Sequence, residues 1–204
     1  MKRIGIYGGT FDPIHLGHLI IAETCYNTFQ LDSLRIIPAY QPPHKTDRSF
    51  SAEDRLAMLE LALEDNPHLI CDKREIVSKE KNYSLHTIID IKNEFPSYDI
   101  YYLVGEDSIM NIDSWYRWRE LLEMVHCVIA RRPASVGDVF EKVDMLKREG
   151  FRVSLMDDYM LDISSSKIRK GLAEGLSMRY LIPDKVYEYI LDKGLYGTEV
   201  FKEM

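Results

Sequence analysis

The chain has 204 residues, 46% of them apolar and 29% charged, which is enough for one substantial core. Its 33 acidic and 26 basic side chains leave a formal charge of -7, the wrong sign for a protein that lives on the nucleic-acid backbone. The start MKRIGIYGG lacks the apolar stretch of a signal peptide, and no apolar run approaches the ~20 residues that span a bilayer. The expectation is a cytoplasmic protein with neither nucleic-acid nor membrane partners; a homo-oligomer is compatible with the sequence. Cys25, Cys71 and Cys127 are odd in number, widely spaced and set among apolar neighbours. They read as small core residues rather than as a disulfide framework or a zinc site.

In chain order, Arg3 to Tyr7 reads as a short apolar strand running into Gly8-Gly9, after which apolar residues recur at helical spacing through Ala22, Cys25, Tyr26 and Phe29. A second strand, Leu34 to Pro38, leads into Pro42-Pro43-His44-Lys45, where two prolines stop regular structure. The stretch from Ala39 to Phe50 is a candidate active-site loop that orders on substrate. Ser51 opens the next helix as an N-cap, with Asp54 at the capping-box position and Leu56, Leu59 and Leu63 on one face. A helix over Ser84 to Phe95 follows. Tyr101 to Val104 and Val125 to Ala130 are continuously apolar, as strands buried on both faces are. A helix near Val136 to Glu149, a strand at Phe151 to Met156 and two helices beginning near Ser164 and Pro183 complete the chain, with proline at the first helical position of the last. Strands alternating with helices predict a mostly parallel sheet covered on both faces, an α/β Rossmann-like fold in one domain over 1–204. Ligands are expected at the carboxyl ends of its strands.

Gly8-Gly9-Thr10-Phe11-Asp12-Pro13-Ile14-His15-Leu16-Gly17-His18 sits where the first strand turns into the first helix, a natural place for a phosphate. The glycines let a nucleotide approach the backbone, and the helix N-terminus offers unpaired N–H groups. The spacing is neither GxGxxG nor GxxxxGK[ST]. His15 and His18, three apart on the first turn, would share a face and could both donate to phosphate oxygens, with Gly17 leaving room for a nucleotide. Read without context, one histidine caps the helix and the other is a core residue; a metal pair is weaker, having no adjacent third ligand. Ser164-Ser165-Ser166, before a helical pattern, is an N-cap cluster or a second donor set, with Arg169 one turn inside. Gly105 and Asp107 follow a buried strand, where a glycine admits a sugar or base and a carboxylate accepts ribose hydroxyls. Taken singly, Asp107 reads as a helix cap and Trp115 as a core aromatic.

Gly8 to His18 matches the GGxFDPxHxGH signature of the nucleotidyltransferases, whose histidine pair resembles the HIGH motif of class I aminoacyl-tRNA synthetases. Ile163 to Arg169 resembles the family's ISSTxIR motif, with Ser166 where threonine is usual and its hydroxyl retained. Gly105 to Trp115 resembles a segment of nicotinate mononucleotide adenylyltransferases that opens on Gly-x-Asp and closes on Trp. Arg132-Pro133 meets that family's Arg-Pro, Pro42-Pro43-His44-Lys45 its PPHK-like loop, and Pro183, Val186, Tyr189-Ile190 and Leu195-Tyr196 its tail. The resemblance runs from end to end. One departure lies at Asn82 to Thr87, where the family reads SYTxDT: Ser84 replaces threonine and His86 an acid, leaving His86 as a helix-surface residue.

The resemblance implies transfer of an adenylyl group from ATP to nicotinate mononucleotide, with His15, His18, Lys45 and Arg169 acting on the phosphates. It implies that ATP lies against Gly8, Gly9, Thr10 and Phe11, the two histidines, Gly105, Asp107, and Ile163, Ser164, Ser165 and Arg169. The acceptor is implied to meet Lys45, Tyr83, Ser84, Trp115, Tyr116 and Arg132. Mg²⁺ would be carried by ATP, since the matched motifs hold no clustered carboxylates and no metal ligands are expected. The rivals are transferases acting on nicotinamide mononucleotide, pantetheine phosphate or glycerol phosphate, and a nucleotide sensor that binds without turnover. A tRNA synthetase is excluded by size.

Overall fold

The structure, a computed structural model, describes residues 2–41, 50–79, 83–131, 138–157 and 161–202. Strand β1, Lys2–Gly9, is followed by helix α1, Leu16–Thr28, strand β2, Ser33–Pro38, and helix α2, Ala52–Leu63. Then come β3, Leu69–Cys71, a short α3, Arg74–Ser78, and α4, Ser84–Glu94. The second half holds β4, Tyr98–Gly105, α5, Glu106–Met110, α6, Trp118–Met124, β5, His126–Ala130, α7, Asp138–Arg148, and β6, Val153–Met156. Helices α8, Ser165–Ala173, and α9, Asp184–Lys193, follow.

All five strand pairings are parallel, in the order β3-β2-β1-β4-β5-β6. Alternation along each strand explains why they read as continuous apolar runs. In β4, Tyr101 and Leu103 enter one core with α1, α2, α8 and α9, whereas Ile100, Tyr102 and Val104 enter the other with α4, α6 and α7. Strand β5 divides likewise, Val128 and Ala130 against Cys127 and Ile129. Each fully buried aliphatic side chain stabilises by about 1.5–3 kcal/mol, so neither face can be left bare. Cys25 and Cys127 are wholly buried and Cys71 half-buried; burial pushes all three thiols up to about 12. No helix among the described residues is long and apolar enough to cross a membrane.

Several boundaries differ from the sequence reading. Leu69–Cys71 and Arg74–Ser78 are additional elements, too short to show a period in the sequence. The inward face of α2 is Ala52, Arg55, Met58, Leu59 and Leu63, and Leu56 is only half-buried. Ser51 does cap α2, accepting from the Asp54 N–H at 2.9 Å, but the Asp54 carboxylate bonds the Ser51 hydroxyl rather than the reciprocal backbone N–H. Pro183 is the N-cap of α9 rather than its first helical residue.

Candidate active site

Strand order reverses between β1 and β4, so the chain leaves these two neighbours in opposite directions and opens a crevice beyond their carboxyl ends. Gly8, at the end of β1, is exposed; a Cβ there would meet only the Tyr102 hydroxyl, at 3.8 Å. Gly9 is small for another reason. A Cβ at Gly9 would stand 2.8 Å from the Phe11 ring, which is 2% exposed and packs edge-on against Tyr7 and His18 at 5.4 and 5.1 Å. Phe11 has φ +49°, a left-handed backbone that costs a residue of this kind of order 1 kcal/mol or more. Burial of the ring offsets that cost. The two glycines thus have different jobs: Gly8 allows close approach to the backbone, and Gly9 makes room for Phe11.

His15 and His18 are organised more tightly than their spacing suggested. His15 is the N-cap of α1, with extended backbone, and His18 is the third helical residue. The Nδ1 of His15 accepts from the His18 backbone N–H, and the Nδ1 of His18 accepts from the His15 N–H, both at 3.3 Å. Each ring therefore carries its neutral-state proton on Nε2, the donor form that a phosphate oxygen requires. The rings stack with centroids 3.6 Å apart, and His15 is 4% exposed. Both histidines are caps, a third possibility beside the cap-plus-core reading. Gly17 differs from expectation too: a Cβ there would lie 3.1 Å from the His15 ring and 3.3 Å from Ile163. The space is filled by protein, so Gly17 permits the histidine stack and the approach of the segment leading into α8.

That segment holds the loop from the other side. Ser164 caps α8, accepting from the Lys167 N–H at 3.2 Å; the Ser165 hydroxyl donates to the Pro13 carbonyl at 3.0 Å. Arg169 donates from Nη1 to the Asp12 carbonyl at 2.7 Å and from Nη2 to the Ser166 hydroxyl at 3.4 Å. The buried Asp12 carboxylate accepts from the Tyr196 hydroxyl at 2.7 Å. Burial, then the Asp12 charge, raises the Tyr196 pKa far above the ordinary phenol range, so this bond keeps its proton.

Across the crevice, the buried Tyr102 hydroxyl donates to Ser84 Oγ at 3.0 Å, which ties the first residue of α4 to the floor beneath Gly8. Tyr83 and Tyr116 lie 4.7 Å apart, both partly exposed, and His86 completes an aromatic corner at 5.8 and 5.7 Å from them. Trp115 meets Tyr102 edge-on at 6.5 Å. Gly105 has open space where a Cβ would stand. Gly105, not Asp107, is the N-cap of α5; Asp107 is exposed in its first turn. Lys45 and Arg132 lie outside the described residues. Among the described residues no three His, Cys, Asp or Glu side chains gather as a metal would need.

Residues 6–171 match the cytidylyltransferase-like family. A probable nicotinate-nucleotide adenylyltransferase of Aeromonas hydrophila is 36% identical over 95% of this chain and 96% of that protein. Its counterpart in Enterococcus faecalis is 36% identical over 98% and 87%. The chain belongs to the nicotinate-nucleotide adenylyltransferase family. A solved Plasmodium falciparum nicotinic acid mononucleotide adenylyltransferase, complexed with NaAD, shares the fold: the TM-score is 0.81 at 22% identity, covering 98% of this chain and 100% of that one.

Negative charge is unevenly distributed among the helix starts. Helices α1, α4 and α8 carry no carboxylate in the first turn, and among the described residues every other α-helix carries one. Acids normally favour that position because they offset the positive end of the helix dipole. Helices α1, α4 and α8 begin at the crevice without that offset, whereas α5, which starts there too, carries Glu106 and Asp107. Sequence reading passed over Arg55, Tyr102 and Glu75. A lone arginine on the apolar stripe of α2 was the available signal for the first. Glu75 accepts from the Thr87 hydroxyl at 2.7 Å, and burial holds its carboxyl above the usual range despite that bond.

Proposed function

We propose that the protein joins nicotinate mononucleotide to ATP, giving nicotinic acid adenine dinucleotide and pyrophosphate. The observation that carries this reading is the mutual capping of His15 and His18, which readies two Nε2–H donors at the N-terminus of α1, at the strand-order reversal. The acceptor's phosphate is already ionised, so it needs no base. One P–O bond forms at the α-phosphorus as the bond to pyrophosphate breaks, with no covalent enzyme intermediate. Alignment and stabilisation of the developing charge are the site's work. His15, His18 and Arg169 would serve the ATP phosphates, with Gly8, Thr10, Ser164 and Ser165 shaping their cradle. Gly105 and Asp107 would meet the nucleoside. Lys45 and Arg132 enter by resemblance.

The buried Asp12 carboxylate is engaged by Tyr196, and Mg²⁺ would arrive on ATP. A cytoplasmic setting belongs to the same reading. The acceptor pyridine would lie at the aromatic corner of Tyr83, Trp115 and Tyr116, with its carboxylate at the acid-free start of α4. An amide there would turn an NH₂ toward a donor, leaving it unsatisfied at about 1–3 kcal/mol and forfeiting charge-assisted bonds. Pyrophosphate release measured with nicotinate and nicotinamide mononucleotides at fixed Mg-ATP tests the proposal. The acid is expected to be better by at least ~10²-fold in kcat/KM; a ratio near one, or no release with either, overturns it.

A further inference from the structure

Arg55 has no place in the chemistry above, yet it is among the most deeply buried side chains in the molecule, 1% exposed one turn into α2. An arginine is rarely enclosed unless its charge is answered. Among the described residues the guanidinium meets no carboxylate directly, and its donors go to four backbone carbonyls. Nε reaches Phe50 at 3.3 Å, Nη1 reaches Thr10 at 2.8 Å and Ala39 at 2.7 Å, and Nη2 reaches Tyr40 at 2.9 Å. Those carbonyls belong to three separate segments: the phosphate-facing loop after β1, the chain leaving β2, and the chain entering α2. Ala39 also donates its N–H to the Gly9 carbonyl at 2.9 Å, so the first two segments touch at the guanidinium.

Two arginines therefore grip one short loop from different helices. Arg55 of α2 takes the Thr10 carbonyl and Arg169 of α8 takes that of Asp12, with the left-handed Phe11 between them. A packed apolar side chain would fill the same volume without burying a charge, and could not bind four acceptors in a plane. Fork geometry is what the arginine adds. We propose that Arg55 is a positioning residue for adenylyl transfer, fixing the loop of residues 8–12 against the end of β2 and the start of α2 so that the phosphate-facing loop is held in one geometry. This rests on the adenylyltransferase reading and makes no contact between Arg55 and substrate.

The first measurement uses the unaltered protein: hydrogen exchange with the α,β-methylene analogue of ATP. Slowed exchange is expected at residues 39–41 and 50–51 as well as 8–12. Slowing confined to 8–18 overturns the proposal. Turnover of ATP with nicotinate mononucleotide is recorded in parallel, and its absence would defeat the adenylyltransferase reading without bearing on the exchange result. The second measurement compares Arg55→Lys, which keeps the charge but offers three point donors, with Arg55→Met. At temperatures where each variant is folded, kcat should fall at least ~10-fold for Arg55→Lys and further for Arg55→Met, with KM for ATP changing less than about 3-fold. Tyr189→Phe, which removes a 2.9 Å bond to Asp54 on the same helix, should lower the unfolding midpoint and leave kcat unchanged. Wild-type kcat in an Arg55 variant with a lowered midpoint would show a purely structural role. If both Arg55 variants fail to fold, the exchange pattern of the unaltered protein decides.

Discussion

Gly17→Ala puts the packing of the histidine pair to a quantitative test. In a helix, alanine is favoured over glycine by about 1 kcal/mol, so a Gly17 that merely left room for nucleotide would yield a more stable protein on substitution. The structure gives the opposite expectation. The new methyl would lie 3.1 Å from the His15 ring, which must yield by a few tenths of an ångström, while His18 lies stacked at 3.6 Å on the ring and Ile163 closes in at 3.3 Å. Overpacking of this kind costs about 1–3 kcal/mol, leaving a net loss of roughly 0–2 kcal/mol after the helix gain. Displacement of His15 also strains both 3.3 Å caps and shifts its Nε2–H within the proposed phosphate site. A shift approaching 1 Å can cost ~10²-fold, so a few tenths should cost about 10-fold in kcat. Thermal unfolding and steady-state pyrophosphate release measure the two effects. Raised stability with wild-type kcat, or a change confined to KM for ATP, would refute the reasoning.

His18→Ala should lower kcat by about 10²-fold with a smaller change in KM, the scale for one preorganised donor to developing charge; near-normal turnover in a kinetic assay would contradict this. Arg169→Lys should lower kcat strongly although the charge is kept, because a point donor cannot hold the Asp12 carbonyl and present a planar fork; equal rates for the two proteins would count against it. Asp72 is a stability prediction. Burial alone would raise its pKa, but bonds from Arg74 at 2.7 Å and the charges of Arg74 and Arg35 bring it below the ordinary carboxylate value. An acid depressed in the folded state contributes stability that is present above its unfolded pKa and lost as pH falls through the folded one. Asp72→Asn should therefore cost about 2–3 kcal/mol in denaturant unfolding at pH 7, with the difference closing below the usual carboxylate range.

The sheet was legible because its strands are buried on both faces. Ile100 to Val104 alternates between two cores, both apolar, and so reads as an unbroken run. Leu69–Cys71 escaped because three residues carry no period. The histidine segment was legible by residue type and by its place after β1. That His15 and His18 cap one another was not, since it depends on an extended backbone at His15, with φ -146° and ψ 168°, that spacing does not encode. Arg55 escaped for a related reason. Its partners are carbonyls of residues 10, 39, 40 and 50, and backbone acceptors have no signature in the sequence. Tyr102 reads as one more apolar strand residue until its hydroxyl is found on Ser84.

The central pairing of the sheet has a consequence for how the chain is made. Ile4 stands opposite Ile100, whereas β2, on the other flank of β1, sets Ser33 against the same Ile4. At 5–20 residues per second, synthesis delivers β2 within a few seconds of β1 but β4 only after roughly 5–20 s. Through that interval the second edge of β1 presents unpaired N–H and C=O groups beside Ile4 and Ile6, an invitation to pair with another nascent chain. Slower translation between β2 and β4 would lengthen that exposure.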